Sequence, residues 1–308
     1  MTWSTRGVIV PAPPPLPWAT SHAALPVVFG TGGALRLYCS TRDERGRSHV
    51  IAGYLDLQRG SATFDERLAI TLGPLGAFDD NGATSSCTVE HDDRLFQYYT
   101  GWNLGVTVPF YLAVGCAVSK DGGDTFEKFS QAPVLGRSSV DPFLTASPSV
   151  LVEDGLWRMW YVSGTEWRVE MNVPHHRYHI KYAESDDGIA WRPTGRVCID
   201  YRDENETSIA RPCVLKDGDA YRMWYCSRGA SYRIGYAESA DGLEWTRKDE
   251  DVHLRQSANG WDSEMQAYPF VFDHGGERHM LYNGNGFGAT GIGHAVLESH
   301  AVSDRTSR

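Results

Sequence analysis

The sequence has no apolar stretch long enough to cross a bilayer, and its opening MTWSTRGVIVPAPPPLPW has no basic region followed by an apolar core. A standard secretory signal peptide is therefore not expected. The sequence also has fewer basic than acidic residues, with 29 Lys and Arg against 39 Asp and Glu, which gives a net charge of -10. Nucleic acids and anionic membranes are bound by basic patches, so neither is expected as a partner. These absences predict a cytoplasmic protein.

Helical periodicity and cysteine spacing are absent too. No stretch has the 3.6-residue repeat of a long amphipathic helix, and no two cysteines have CxxC spacing. The cysteines fall mostly within predicted strands, so we expect buried free thiols and not disulfides or zinc ligands. They are Cys39, Cys87, Cys116, Cys198, Cys213 and Cys226. No metal ion or other cofactor is predicted.

The sequence does contain an internal repeat. The string RMWYCSRGASYRIGYAESADGLEW, at residues 222–245, restates an earlier RMWYVSG and YHIKYAESDDGIAW with a different middle. Further copies lie about 60 residues apart, a period typical of units that bury their apolar faces against one another. The aromatic residues that anchor the copies are Tyr38, Tyr99, Tyr161, Tyr225 and Tyr282.

Each copy alternates apolar and polar residues in short runs that end at Gly, Asp, Asn or Ser, the pattern of strands joined by turns. The fourth copy reads as four strands, ARPCVLKD, AYRMWYCS, YRIGYAES and EWTRKD. Four-stranded units repeated around an axis form a β-propeller. We therefore predict an all-β, single-domain, five-bladed β-propeller over residues 1–308, with four antiparallel strands per blade. The blades are expected at roughly 18–75, 76–138, 139–202, 203–258 and 259–300, after an N-terminal strap at 1–17.

A turn motif recurs between the third and fourth strands of three copies. SKDGGDTF, SDDGIAW and SADGLEW share Ser, Asp, Gly and a following aromatic residue. Asp bonds to the backbone that follows it, and Gly supplies the positive φ of a tight turn. The first of the three is similar to the Asp-box of sialidases. We expect the motif to shape turns and not to act chemically.

In a propeller, the innermost strand of each blade lines a central channel, and the loops that lead into these strands share one face. Any one acid in such a loop could simply cap backbone groups, but four of the five blades aim an acid at the same centre. Crowding of carboxylates raises the pKa of at least one of them, as a general acid requires, and glycoside hydrolysis uses such a pair. The leading loops carry His22, Asp79, Asp80, Asp141, Glu206 and Glu264.

The loops between the second and third strands add aromatic and hydrogen-bonding groups, which suit a ligand rich in hydroxyls. The tryptophans could instead pack between blades, and the glycines beside Asn285 could only mark a turn. The spacing of His175 and His179 on one face of a strand favours hydrogen bonding over a zinc site. The sugar-binding candidates are His22, Arg42, Asp43, Asp79, Trp102, Asn103, Glu166, Trp167, His175, His176, Arg177, Arg211, Arg228, Tyr268, Asn283 and Asn285.

The blade pattern P-x-V, RMWY-S-G and IGYAES-DG-W, with the closing string WDSEMQAYPFVFDHGGERHMLYNGNGFGATGIGHA, resembles the propellers of glycoside hydrolase families 43 and 32 and relatives, including the family 130 phosphorylases. The resemblance covers essentially the whole chain. It implies that Asp141 corresponds to the middle-blade Asp of those enzymes and Glu206 to their general acid. The first blade departs, because His22 stands where an Asp is expected. The resemblance then leaves the base to Asp79, Asp80 or Glu264.

Three functions remain open on this reasoning. The first is a glycosidase or related glycosyl-transferring enzyme acting on a small sugar or glycoconjugate, with Glu206 as the acid. The second is a phosphorylase in which phosphate replaces the base. Its candidate anion ligands are Arg42, Arg177, Arg211 and Arg228. The third is a sugar-binding propeller without chemistry. All three imply a small-molecule sugar as the partner.

Overall fold

A computed structural model describes residues 1–31 and 33–298 of the chain. Gly32 and residues 299–308 lie outside the described residues, and with them the end of the predicted last blade. The described part is almost entirely β-strand, so the all-β prediction is confirmed. Its helical segments are a 3-10 turn at Asp249–Asp251 and a four-residue turn, α1, at Asn285–Gly288. Neither of these, nor any other described segment, is a helix long and apolar enough to span a membrane.

The strands follow one another in sets. An N-terminal strand, β1, spans Thr2–Val10. The first set is β2 (Ser21–Thr31), β3 (Ala34–Arg42), β4 (Ser48–Asp56) and β5 (Ser61–Ile70). The second set is β6 (Gly82–His91), β7 (Arg94–Leu104), β8 (Phe110–Ser119) and β9 (Glu127–Lys128). The third set is β10 (Thr145–Glu153), β11 (Leu156–Glu170), β12 (Val173–Ser185) and β13 (Arg192–Ile199).

The fourth set is β14 (Ser208–Asp217), β15 (Ala220–Arg228), β16 (Tyr232–Ser239) and β17 (Thr246–Arg247). A short strand, β18 (His253–Leu254), precedes the last set. The last set is β19 (Ala267–His274), β20 (Glu277–Asn283) and β21 (Ile292–Leu297), and β1 supplies its outer strand.

Pairing within each set is antiparallel, and only single parallel pairs join neighbouring sets. Ser48 pairs with Gly82 between the first and second sets, and Tyr178 pairs with Ser208 between the third and fourth. Each of the two eight-stranded sheets therefore consists of two four-stranded halves. The last set is completed from the other end of the chain, because β1 pairs antiparallel with β21 and carries β18 on its outer side. The sequence had predicted this N-terminal segment as part of a strap.

The first strands of the five sets form a closed ring of neighbours. In order around the ring they are β2, β6, β10, β14 and β19, and β19 returns to β2. We call these strands the inner ring. Because the strands of a set alternate in direction, the loop leading into each inner strand lies at the same end as the loop between the second and third strands. This shared end is called the pocket face below.

The repeated turns link one set to the next. Tyr98 Oη donates to the carbonyl of Gly188 at 2.6 Å, and Trp160 Nε1 donates to the carbonyl of Gly242 at 2.7 Å. Within the Gly188 turn, Ser185 Oγ accepts from the Gly188 amide at 3.0 Å. These bonds support the turn-shaping role predicted for the motif, since the turn both closes on itself and receives the aromatic residue of the preceding set.

Strand register corrects one anchor of the repeat. Tyr38 pairs with Val27, and in this pairing it holds the same position as Tyr98 in the second set and Trp160 in the third. The residue of the first set that is equivalent to Tyr99 is therefore Cys39. An aromatic residue stands in either of two neighbouring positions, and the sequence pattern did not separate them. All six cysteines are free and buried, as predicted.

Candidate functional site

Each strand of the inner ring has an irregularity at the same place. The register shifts at this point in β2, β6, β10, β14 and β19, so that an extra residue stands opposite its partner strand. The bulge residues, at equivalent positions of the five sets, are Leu25, Ser85, Ser147, Arg211 and Tyr268. Four of them, all except Ser85, have φ between 46° and 58°. Bulges and left-handed backbone conformations change the direction of side chains and are common at binding sites. These five positions therefore mark the centre of the ring.

Arg211 spans the ring. Its guanidinium donates to the carbonyl of Ser85 at 2.9 Å and to the carbonyl of Pro26 at 2.8 Å, which lie on two other inner strands. The side chain is only 1% exposed, and burial lowers its pKa to about 10. Arg211, predicted as an anion ligand, thus ties three inner strands together and forms a floor for the pocket face.

A continuous cluster of aromatic rings borders the centre, with the buried ring of Tyr232 in its middle. Tyr268 lies with its ring centroid 6.1 Å from that of Tyr232, and Phe287 lies 6.1 Å from Tyr232. The hydroxyl of Tyr232 hydrogen-bonds to that of Tyr178, whose ring stacks on His176 at 4.8 Å. The cluster continues through two further rings near His176. We call the aromatic wall the set of Phe110, Trp167, His176, Tyr178, Tyr232, Tyr268 and Phe287.

Two arginines flank the wall without carboxylate partners. The guanidinium carbon of Arg228 lies 5.9 Å from the ring centroid of Tyr232, and neither Arg228 nor Arg42 forms an ion pair with any described residue. Arg42 lies near His22, where burial and then this positive charge lower the pKa of the imidazole. Burial, followed by the charge of Arg228, lowers the pKa of His176 to about 4. Both histidines are therefore neutral at neutral pH.

The leading-loop carboxylates are held within their own sets. Asp79, 1% exposed, accepts from Tyr99 Oη at 2.9 Å and from Lys128 Nζ at 2.5 Å. Asp141 is fully buried. It accepts from Tyr161 Oη at 2.9 Å, Ser163 Oγ at 2.7 Å, Ser138 Oγ at 3.2 Å and Lys181 Nζ at 3.4 Å. Both carboxylates are thus buried and held by neighbouring side chains of their own sets.

Glu206, predicted as the general acid, is clamped by arginine. Arg247 donates to both of its carboxylate oxygens, at 2.7 and 2.8 Å, and the Arg202 amide donates a third bond at 2.7 Å. Burial favours the neutral acid, but the bonds from Arg247 outweigh it and lower the pKa of Glu206. A general acid at neutral pH needs the opposite shift. The geometry thus argues against the predicted role.

The remaining acids differ in how far they are engaged. Asp43 accepts from Arg47 and His49 in the turn between β3 and β4. Asp80 Oδ2 accepts from the Gly76 amide, and Glu166 pairs with Arg168 at 2.8 Å. Glu264 is exposed, and its side chain makes no hydrogen bond or ion pair with the described residues. Of the four predicted catalytic acids, Glu264 is the one whose side chain has no hydrogen bond or ion pair with a described residue, and Asp80 Oδ1 also has no such partner.

Several predicted sugar ligands are structural. Asn283 is fully buried and joins the last set to the first, since its amide donates to the carbonyls of Ala23 and Gly291 and accepts from the Leu25 amide. Asn285 Oδ1 accepts from the amides of Glu264 and Met265. Such amide groups have little capacity left for a ligand.

Four further candidates, predicted in the loops between second and third strands, lie within the strands that flank those loops. Arg177 donates to the carbonyl of Glu206 at 2.8 Å and so links two sets. Trp102 and Asn103 lie near the end of β7, half-buried, and the indole of Trp102 covers Gly82. His175 is exposed. No group of three or more potential metal ligands occurs among residues 1–31 and 33–298.

The structure therefore brings together His22, Arg42, Trp167, His176, Arg228 and Tyr268 from the predicted set. The sequence reasoning missed four members of the wall, Phe110, Tyr178, Tyr232 and Phe287. It also missed the bulges, although a signal was present. In four sets the bulge residue is the variable one between Ala and Pro, as in Ala210-Arg211-Pro212.

Comparisons with known proteins agree on the fold. No protein-family model matches the chain. Two proteins from strains of Mycobacterium tuberculosis, both described as uncharacterized, are each 42% identical over 303 residues, covering 97% of this chain and all of theirs. Among solved structures, a complex of BT0996 with RGII superposes with a TM-score of 0.77 at 18% identity, covering 96% of this chain and 92% of that one.

Two further structures are named glycoside hydrolases. A thermostable family-43 glycoside hydrolase has a TM-score of 0.70 at 15% identity, with 93% of each chain covered. The GH32 β-fructofuranosidase of Bombyx mori has a TM-score of 0.65 at 15% identity, covering 95% of this chain and 61% of that one. The chain thus has the propeller fold of these enzymes, and the resemblance inferred from sequence is confirmed. Identities this low establish the fold and not the activity.

Proposed function

Because the chain belongs to one family with the two Mycobacterium tuberculosis proteins and has the propeller fold of glycoside hydrolases, we propose that it is a carbohydrate-binding protein. The sugar would occupy the pocket face, over the centre of the inner ring. A neighbouring structure of the same fold is a complex with the RGII oligosaccharide, which supports a sugar as the ligand class.

The observation that carries the proposal is the aromatic wall. Its rings come from four of the five sets and meet beside the bulge residue Tyr268. Sugar rings present faces of C–H groups that pack on aromatic rings, while their hydroxyls need hydrogen-bond partners. Arg42, Arg228 and the neutral imidazole of His22 supply such partners around the wall.

Binding is favoured over hydrolysis because the acids that the resemblance makes catalytic, Asp141 and Glu206, are engaged by neighbouring side chains. Glycoside hydrolysis needs one acid and one base or nucleophile across the scissile bond. None of the five bulge residues is acidic, and Asp79, Asp141 and Glu206 are engaged by Tyr, Lys or Arg. The glycosidase predicted from sequence would have to act through Glu264 and a partner that the geometry does not identify.

We further propose that each strand set is one blade, which gives five four-stranded blades around the inner ring, with β1 as the outer strand of the last. The closed order of the inner strands supports this count. Free, buried thiols suit a reducing compartment, in keeping with the cytoplasmic location expected from the sequence.

The proposal is tested by measuring, with calorimetry, the binding of a panel of mono- and oligosaccharides. Trp167→Ala should weaken binding of the best ligand by about tenfold or more, because a stacking face is lost. Trp245→Ala is the matched control, since Trp245 is also half-buried but packs on Trp160 away from the wall. Equal binding by both variants would contradict the proposal.

Hydrolysis is tested in parallel with aryl glycosides. We expect no release of the aryl group above background. Release that is abolished in Glu264→Gln, but retained in Glu206→Gln, would show an enzyme that acts through Glu264. It would overturn the binding-only function.

A further inference from the structure

We propose that the sugar bound on the pocket face carries a negatively charged group, a carboxylate or a phosphate, which Arg42 and Arg228 bind from either side of the Tyr232 and Tyr268 pair. This inference rests on the proposed carbohydrate binding and adds the chemical class of the ligand. It concerns a charge on the sugar itself.

The charge distribution carries the first step. The chain has a net charge of -10, so an arginine on its surface has many acids available as partners. Buried arginines elsewhere use them: Arg278 pairs with Asp217 and Asp273, and Arg247 with Glu206 and Asp249. Arg42 and Arg228 are half-buried, yet have no such partner among the described residues.

The missing carboxylate partners of Arg42 and Arg228 are informative because both side chains are partly buried. A charged group that loses part of its water and gains no counter-charge is unfavourable, and a ligand anion removes that cost when it binds. Arg211 adds a third positive charge below the pocket face, with its guanidinium held by carbonyls and not by carboxylates. Positive potential thus accumulates at the centre of an acidic protein.

The positions of the two arginines fit one ligand. Arg228 lies 5.9 Å from the centroid of Tyr232, and the Tyr232 ring lies 6.1 Å from that of Tyr268. The positive charge of Arg42 acts on Tyr268 and on His22, so it lies towards the Tyr268 end of the pair.

Tyr232 itself is only 2% exposed, and the accessible rings beside it are Tyr268 and Phe287, with centroids 6.5 Å apart. A sugar packed on these two rings would bring an exocyclic carboxylate or phosphate towards the guanidinium groups. The planar fork of arginine matches both groups, with two parallel hydrogen bonds.

Comparing four ligands distinguishes a carboxylate on the sugar, a phosphate on the sugar and free phosphate as the source of the negative charge. Calorimetry with the purified protein would use glucose, glucuronate, glucose 6-phosphate and inorganic phosphate, each at low and at high salt. We expect at least one anionic sugar to bind about tenfold tighter than glucose, with the preference reduced by salt. Arg42→Gln and Arg228→Gln should each bring that sugar close to the affinity of glucose.

Arg94→Gln is the matched control. Its guanidinium also lies over an aromatic ring, 5.2 Å from the centroid of Phe96, but in the turn between β6 and β7, at the opposite end of the ring. It should leave the preference unchanged. Melting temperatures of all three variants would confirm that they are folded.

The outcomes separate this inference from the proposed function. Equal affinity for glucose and both anionic sugars would overturn the anionic ligand and leave carbohydrate binding intact. Binding of inorganic phosphate, with no sugar bound and with the same two arginines required, would overturn carbohydrate binding and the sugar-borne charge alike. A preference for anionic sugars that survives both arginine variants would overturn the assignment of the arginines.

Discussion

The leading loops and the inner-strand bulges repeat around the same ring, but they differ in what the repetition preserves. In the second, third and last sets, a buried aspartate accepts a hydrogen bond from the tyrosine of the next strand of its set. The pairs are Asp79 with Tyr99, Asp141 with Tyr161 and Asp262 with Tyr282. The bulges instead carry leucine, serine, serine, arginine and tyrosine in turn.

This difference separates scaffold from site. A bond that stabilises one set can do the same in another, so its residues recur in three of the five sets. A ligand on the axis meets each set once and from a different side, so groups that bind it need not recur. The recurring acids therefore stabilise their own sets, and the proposed function predicts ligand-binding groups where the copies differ.

The largest effect should come from the recurring loop acids. Asp79→Asn removes the partner of Lys128 and a bond to Tyr99, and breaking a buried ion pair costs about 3–5 kcal/mol. Asp80→Asn, at the next position, loses one bond to a backbone amide and should cost about 1 kcal/mol or less. Urea unfolding measures both. Similar small losses for both variants would place Asp79 outside the scaffold.

Arg211 shows that a bulge can serve both purposes. Arg211→Met keeps much of the side-chain volume but leaves the carbonyls of Ser85 and Pro26 without a donor, which should lower the free energy of unfolding by about 2–4 kcal/mol. The control is Arg222→Met, which loses an ion pair with Asp217 in which both side chains are partly exposed. If the two variants unfolded at the same urea concentration, Arg211 would not tie the inner ring together.

Acid should weaken the first set through Asp43. Although burial opposes it, hydrogen bonds from His49 and Arg47 lower the pKa of Asp43 to about 2. Because the folded pKa lies below its ordinary value, the stabilisation is present above about pH 4 and is lost as the pH falls towards 2. The melting temperature should drop less over this range in Asp43→Asn than in the parent. Asp56→Asn, in the next turn, should show the parental drop.

The smallest effect is expected at the unpaired arginines. Arg42→Gln and Arg228→Gln remove charges that no described carboxylate balances, so the free energy of unfolding should change by no more than about 0.5 kcal/mol. Thermal melting without ligand measures this. A loss of several degrees would show that these arginines belong to the scaffold, and the contrast between loops and bulges would fail.

The sequence was sufficient for the all-β class and the repeat, because alternation of apolar residues and turn residues such as those of SDDGIAW report directly on local structure. The roles it predicts for the acids stay predictions. The alternation of apolar and polar residues does not determine how a loop folds. The loop residues Asp141 and Glu206 could therefore be aligned with one another in sequence, but the direction of their side chains could not be predicted.

The bulges exposed a second limit. One extra residue in a strand reverses the face of every residue beyond it, so Tyr268 and Arg211 could not be placed by counting. The proline that follows each of them was visible, and a proline inside a strand is itself a sign of a bulge. The wall was missed because Tyr178 and Tyr232 look like ordinary strand residues until their sets are brought together.

The pairing of β1 with β21 has a consequence for biosynthesis. β1 precedes the other strands in the chain, and its partner β21 follows them, so β1 is translated before every strand it could pair with. Until β21 is made, β1 has an unpaired edge, the kind of surface on which nascent chains associate with one another. Closure of the ring is then a late, long-range step, and chaperones that shield nascent chains would act chiefly before it.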